Sequence, residues 1–250
     1  MTDLWYDVSG EGPPLVFLHE GVVDSRIWET VVPLLTPHHR VIRYDQRGFG
    51  RSPMPDGPYS LVDDLMGVLD AAGADRAALA GASRGGSIAL TAAVERPERV
   101  SALALLGSGL PGVRVDVGWT PEQIARWEQA EAAEDWAAMS ELDMEAWAPM
   151  GADPELGAMF RENAVGSNAE DPATDEPVAD RVSGIAAPTL VITGGRDVPG
   201  INEIGARLAR EIPGAESAVI EDADHMIPWR TPEELSHLLL DFLSRTSGRT

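Results

Sequence analysis

The chain has 250 residues, with 41 acidic against 19 basic side chains and a formal net charge of −22. This balance argues against nucleic-acid binding, which needs clustered cations, and slows the approach of anionic membranes and substrates. Cysteine is absent and all 19 cations are arginine, which excludes disulfides, thiolate catalysis, cysteine metal sites and lysine Schiff bases. The length suits one domain with a sizeable core.

The first residues, Met1–Asp7, carry no apolar signal core, and no apolar run reaches membrane-spanning length, so a cytoplasmic protein is expected. Strands are predicted at Leu4–Val8, Leu15–His19, Val41–Tyr44, Ala77–Ala80, Val100–Leu106, Thr189–Thr193 and Ser217–Ile220. Leu15-Val16-Phe17-Leu18 and Leu190-Val191-Ile192 are continuously apolar, as strands covered on both faces require. Helical spacing appears between them, in Leu61/Leu65/Val68/Leu69 and in Ile204/Leu208/Ile212. A last helix, with Leu235, Leu238, Leu239 and Phe242, opens at Thr231-Pro232-Glu233-Glu234. Alternation of this kind predicts a mostly parallel α/β sheet with helices on both faces.

The rhythm breaks over residues 108–178, where no strand is predicted and four of the seven tryptophans fall: Trp119, Trp127, Trp136 and Trp147. Thr120-Pro121-Glu122-Gln123 is a helix opening with a hydroxyl cap and Pro in the first turn. Further helices are expected near Glu134–Trp147 and Pro154–Ala164, with Asn168–Pro177 as an exposed return loop. The segment reads as a helical cap inserted into a core made of residues 1–107 and 179–250. Some of its tryptophans and methionines would face a substrate cavity, the rest its own packing.

Gly81-Ala82-Ser83-Arg84-Gly85 follows the apolar run Ala77–Ala80 and precedes an alanine-rich helix pattern ending before Pro97. A serine between glycines, with a strand before it and a helix after it, is how a hydroxyl nucleophile is exposed on a sharp turn. Such a serine needs a base. Of the five histidines, His38 and His39 lie in a Pro-flanked loop and read as surface residues, and His237 sits off the apolar stripe of the last helix. His19 ends the second strand. His225, in a loop after the last strand, can reach the strand ends and is the candidate base. Asp197, at the carboxyl end of the strand before it, is the candidate acid, since Asp222 and Asp224 are too close in sequence to brace His225 from behind. Asp45 reads as structural.

With these residues in place, the chain resembles the α/β-hydrolase-fold superfamily, in its capped, small-molecule serine hydrolase (esterase and enol-lactonase-like) branch. The likeness rests on His19-Glu20-Gly21, Trp28, Asp45–Ser52, the Gly81–Gly85 pentapeptide, Pro97-Glu98-Arg99-Val100, Gly194–Asp197 and Asp224-His225. It implies a sheet of seven or eight strands, the family's frequent extra N-terminal strand being missing here. It also implies an oxyanion hole from the backbone N–H groups of Gly21 and Arg84, and no metal or cofactor. The expected reaction is hydrolysis of an ester, lactone or thioester of a small, mainly apolar molecule. Carbon–carbon bond hydrolysis, cofactor-free cyclase or lyase chemistry, and ligand reception without turnover are the alternatives on this fold. A monomer or homodimer is expected.

Glu20 and Arg84 depart from the family pattern on either side of the implied oxyanion hole. Three readings stand: both side chains point away, they pair with each other, or Arg84 recognises a substrate carboxylate or enolate. The expected pocket residues are Glu20, Trp119, Trp127, Trp136, Trp147 and Met226.

Overall fold

The computed structural model describes residues 2–169 and 171–246. In chain order, β1 (Tyr6–Ser9), β2 (Pro14–Leu18), α1 (Val32–Leu35), β3 (Arg40–Tyr44), α2 (Leu61–Ala71), β4 (Ala77–Ala82), α3 (Arg84–Glu95) and β5 (Val100–Leu106) form the first half. Four helices follow with no strand among them: α4 (Pro121–Ala132), α5 (Trp136–Trp147), α6 (Pro154–Glu162) and α7 (Ala164–Asn168). The sheet then resumes with β6 (Thr189–Gly194), α8 (Pro199–Glu211), β7 (Glu216–Ile220), α9 (Ile227–Arg230) and α10 (Pro232–Thr246).

The seven strands lie in the order β1-β3-β2-β4-β5-β6-β7. All neighbours pair in parallel except β1, which runs antiparallel to β3 with Tyr6 opposite Tyr44. The sheet thus has seven strands, and its first strand begins two residues later than the apolar pattern suggested.

Successive side chains of a strand point to opposite faces, so each central strand feeds two cores. Val16, Leu18, Leu79 and Leu103 pack with Leu65 and Leu69 of α2, Ile88 of α3 and Leu208 of α8. Leu15, Phe17, Ala80 and Ile192 pack on the other face with Trp28 and with Leu239 and Phe242 of α10. Phe17 stacks on Trp28 with ring centroids 4.3 Å apart. Because the strands are parallel, their carboxyl ends share one edge, the place where an open α/β sheet leaves a crevice for ligands. The loops holding His19–Gly21, Ser83, Asp197 and His225 all leave the sheet at that edge.

The helical insertion between β5 and β6 is fastened over this edge at several points. Asn163 donates from Nδ2 to Asp24 and accepts the Gly50 N–H on Oδ1 (3.0 and 2.8 Å). Met150 N–H donates to Asp224, and Arg230 donates to the Gly151 carbonyl. The segment expected to be an exposed return loop is part of this fastening. Asp175 accepts from Ser60 Oγ, Leu61 N and Val62 N, covering the start of α2 with a carboxylate where a helix presents unpaired N–H groups.

Asp175→Ala removes three acceptor contacts at that helix start. It is expected to lower unfolding stability in urea by about 1–2 kcal/mol. An unchanged midpoint would mean that the loop is not pinned there.

Candidate active site

Ser83 lies between the end of β4 and the first turn of α3 with φ 51° and ψ −114°, a conformation that costs a non-glycine residue energy. Backbone hydrogen bonds fix it: Ser83 N–H donates to the Leu106 carbonyl (2.9 Å), and its own carbonyl accepts from Ser87 and Gly109. The flanking glycines have no room for side chains. A Cβ on Gly81 would run into the Gly85 carbonyl, and one on Gly85 into the Leu18 carbonyl. The turn therefore holds the serine at the mouth of a cavity of about 570 Å³, which Ser83 and His225 both line.

His225 Nδ1 lies 2.9 and 3.1 Å from the two carboxylate oxygens of Asp197. Asp197 is oriented in turn by the Val198 N–H, which donates to its Oδ1 at 2.7 Å. Gly107, with φ +46°, supports the pair from below: a Cβ there would sit 3.0 Å from Asp197 Oδ2 and 3.3 Å from His225 Nδ1. With Nδ1–H donated to a carboxylate, Nε2 is left as the proton acceptor. Burial works to lower the His225 pKa, but the charge and hydrogen bond of Asp197 outweigh it and the net shift is upward. Neither competing acid meets this ring. Asp222 is exposed and pairs with Arg196, and Asp224 is buried against Arg230 at 2.8 Å.

The loop after β2 is held by a side chain that motif reasoning missed. Gln46 N–H donates to His19 Nε2 (2.9 Å), and its side-chain amide donates to the His19 carbonyl (2.6 Å). Since Nε2 must accept, His19 carries its proton on Nδ1, which donates to the Glu20 carbonyl at 2.6 Å. Burial lowers the pKa of this ring and keeps it neutral. The signal for Gln46 lay in the polar, glycine-punctuated run after β3. Asp45 in the same run is structural, accepting from Ser25 and Arg51.

Gly21 and Arg84 are neighbours: a Cβ on Gly21 would touch the Arg84 side chain at 3.2 Å. Both line the cavity. Arg84 opens α3, so its N–H has no carbonyl four residues back within the helix and is free for a ligand.

Glu20 and Arg84 do not pair. Arg84 Nε donates to Gln46 Oε1 (2.9 Å), and Nη2 donates to Tyr59 Oη and forms an ion pair with Asp171 at 2.7 Å. Tyr59 Oη donates to the same Asp171. Glu20 is fully buried, and both of its carboxylate oxygens lack a hydrogen-bond partner among the described residues. Burial pushes its pKa up to about 7, with Asp197 adding to the rise and His225 opposing it.

Among the expected pocket residues, Trp127 and Trp147 line the cavity, and Glu20, Trp119, Trp136 and Met226 do not. Met226 is buried in the core below the site, where its N–H donates to Asp224. Trp119 packs on Trp127 at 4.8 Å, supporting the wall rather than forming it. Trp147 lies against the His225 ring, with centroids 4.6 Å apart. Asp143 also lines the cavity, as one of two polar residues, with Ser140, on the buried face of α5. His38 and His237 are exposed, but His39 is buried with Nδ1 near the Pro13 carbonyl, because the loop folds back onto the start of β2. Among the described residues, no cluster of three or more His, Asp or Glu side chains is arranged to hold a metal ion.

The chain belongs to the alpha/beta hydrolase fold family, whose model matches residues 13–232. It is similar to 2-hydroxymuconate semialdehyde hydrolase of Pseudomonas sp. (strain CF600), 45% identical over 107 residues, which is 40% of this chain and 38% of that enzyme. A longer match, 29% identical over 270 residues, covers 95% of this chain and 90% of 2-hydroxy-6-oxo-6-phenylhexa-2,4-dienoate hydrolase of Comamonas testosteroni. Among solved structures, the enol-lactonase of Burkholderia xenovorans LB400 superposes with a TM-score of 0.81 at 27% identity, covering 96% of each chain. Family and relatives together support a hydrolytic enzyme.

Burial of Glu20 makes folding stability depend on pH. Its folded pKa of about 7 lies above the ordinary value of 4.5. Between these two pH values the unfolded chain has lost the proton that the folded chain keeps, so folding stability falls as pH rises. The loss, on the order of 3 kcal/mol, is complete above pH 7. Glu20→Gln should flatten this part of a stability-versus-pH curve, and an unchanged slope would place the titration elsewhere.

Proposed function

We propose that this chain is a serine hydrolase that cleaves an ester, lactone or thioester of a small, mainly apolar molecule through an acyl-enzyme. The observation that carries the reading is the strained Ser83 turn facing the same cavity as a His225 ring bonded to Asp197 at 2.9 Å. In this mechanism His225 Nε2 takes the Ser83 proton as Oγ attacks the carbonyl carbon. Asp197 holds the imidazolium that forms. The backbone N–H groups of Gly21 and Arg84 bind the developing alkoxide, where fixed donors are worth most. His225 then returns the proton to the leaving group, and water, activated by the same ring, releases the acid and frees Ser83. The helical insertion over the strand ends would act as the lid, limiting bulk water and shaping the acyl site.

A second reading, carbon–carbon bond hydrolysis, is supported by the relatives named for a 2-hydroxy-6-oxo dienoate. A ketone of that kind has no heteroatom leaving group, so water adding at its carbonyl splits a carbon–carbon bond. Such substrates are also carboxylates. The guanidinium on the cavity wall that could receive one, Arg84, is already neutralised by Asp171, which favours the ester or lactone.

Ser83→Ala is expected to reduce turnover of short-chain nitrophenyl esters at least ~10³-fold and to abolish labelling by a fluorophosphonate probe. Labelling of the wild type at another residue, or turnover that survives in the variant, would overturn the assignment.

A further inference from the structure

The mechanism leaves three acidic side chains on the cavity wall unused, Asp143, Asp175 and Glu176, of which Glu176 is exposed. Asp143, on α5, is only 5% exposed and lines the cavity. Its Oδ2 accepts from Asn168 Nδ2 at 3.0 Å and from Ser167 Oγ at 3.4 Å. Both donors are neutral, and among the described residues no arginine or histidine lies within ion-pair distance. A carboxylate held in an apolar wall without a cation is costly unless a partner arrives.

The surroundings point to the sign of that partner. Trp127 and Trp147 line the same cavity, and indole faces attract ammonium groups. Arg84 is already paired with Asp171. Asp175, also on the wall, is engaged at the start of α2 by three donors, Ser60 Oγ, Leu61 N and Val62 N. The unspent charge inside the cavity is therefore negative, and the chain around it carries a net charge of −22, which draws cations toward the site. Position fits as well. Trp147 lies against the His225 ring and follows Asp143 by one turn of α5, so Asp143 and the proposed base share one stretch of the cavity wall.

We propose that Asp143, with Trp127 and Trp147, forms a subsite for a cationic nitrogen, so that the substrate carries an ammonium group a few atoms from its scissile carbonyl. The inference rests on the serine-hydrolase reading for its substrate class, but not for the binding itself.

The test uses the full-length protein and four nitrophenyl esters of one chain length, ending in trimethylammonium, a primary amine, a neutral tert-butyl group or a carboxylate. The cationic esters should exceed the neutral one in kcat/KM by at least about tenfold, with the carboxylate lowest. Asp143→Asn should reduce the cation-to-neutral ratio by about the same factor. If that variant does not fold, the wild-type ranking decides alone. A higher rate for the primary amine assigns the preference to direct bonding with Asp143, and a higher rate for trimethylammonium assigns it to the two indoles. Binding of the trimethylammonium alcohol to Ser83→Ala, measured by calorimetry, separates the two readings. Cation binding without ester turnover in the wild type would sink the hydrolase reading and keep the subsite. Turnover with no cation preference and no binding would overturn the subsite.

Discussion

The site depends on one backbone conformation, the φ of 51° at Ser83. A serine pays for this only if its surroundings allow nothing else, and here they do not. The Gly81 and Gly85 positions are closed by neighbouring backbone, and the Ser83 peptide is bonded to Leu106, Ser87 and Gly109. The strand register extends the constraint outward. β4 pairs with β2 on one side and β5 on the other, which places the His19–Gly21 loop and the Gly107 turn beside the serine. Gly85 N–H then donates to the His19 carbonyl, tying the start of α3 to the loop that carries Gly21.

In this acid-rich chain, whose cations are all arginine, most buried carboxylates are paired. Asp45 is matched by Arg51, Asp224 by Arg230 and Asp24 by Arg26, each through a fork of hydrogen bonds that suits guanidinium geometry. These pairs lie where loops from the core meet one another or the helical insertion, so they fix the crevice as well as balancing charge. Glu20 and Asp143 break this pattern, since neither has a cationic partner within ion-pair distance among the described residues. Glu20 is felt by both His225 and Asp197, and Asp143 lines the same cavity as His225. Isolated buried charge concentrated there fits a site whose electrostatics serve chemistry or binding more than stability.

Most of the core was legible because it follows from periodicity. Leu15–Leu18 and Leu190–Ile192 could be read as buried strands since both of their faces are apolar. The strand–turn–helix around Ser83 followed from glycine placement. The first strand was displaced because Leu4 packs into the core while the ladder with β3 starts only at Tyr6. The partners of Arg84 were hidden for a different reason. Asp171 is 87 residues away, on a loop whose path is set by Asp175 capping α2, and nothing local in the sequence signals such a contact. The tryptophans divide in the same way. Composition marks all four as amphipathic mass in the insertion, and only the fold decides that Trp127 and Trp147 face the cavity while Trp119 backs it.

The proposed chemistry stands or falls on acylation of Ser83 during turnover. Acid-quenching the enzyme within the first turnovers of a nitrophenyl ester, followed by peptide mass analysis, tests it directly. A mass increase equal to the acyl group is expected on the peptide containing Ser83, appearing with the burst of nitrophenol. Full turnover with no adduct at any time, or an adduct on another residue, would contradict it.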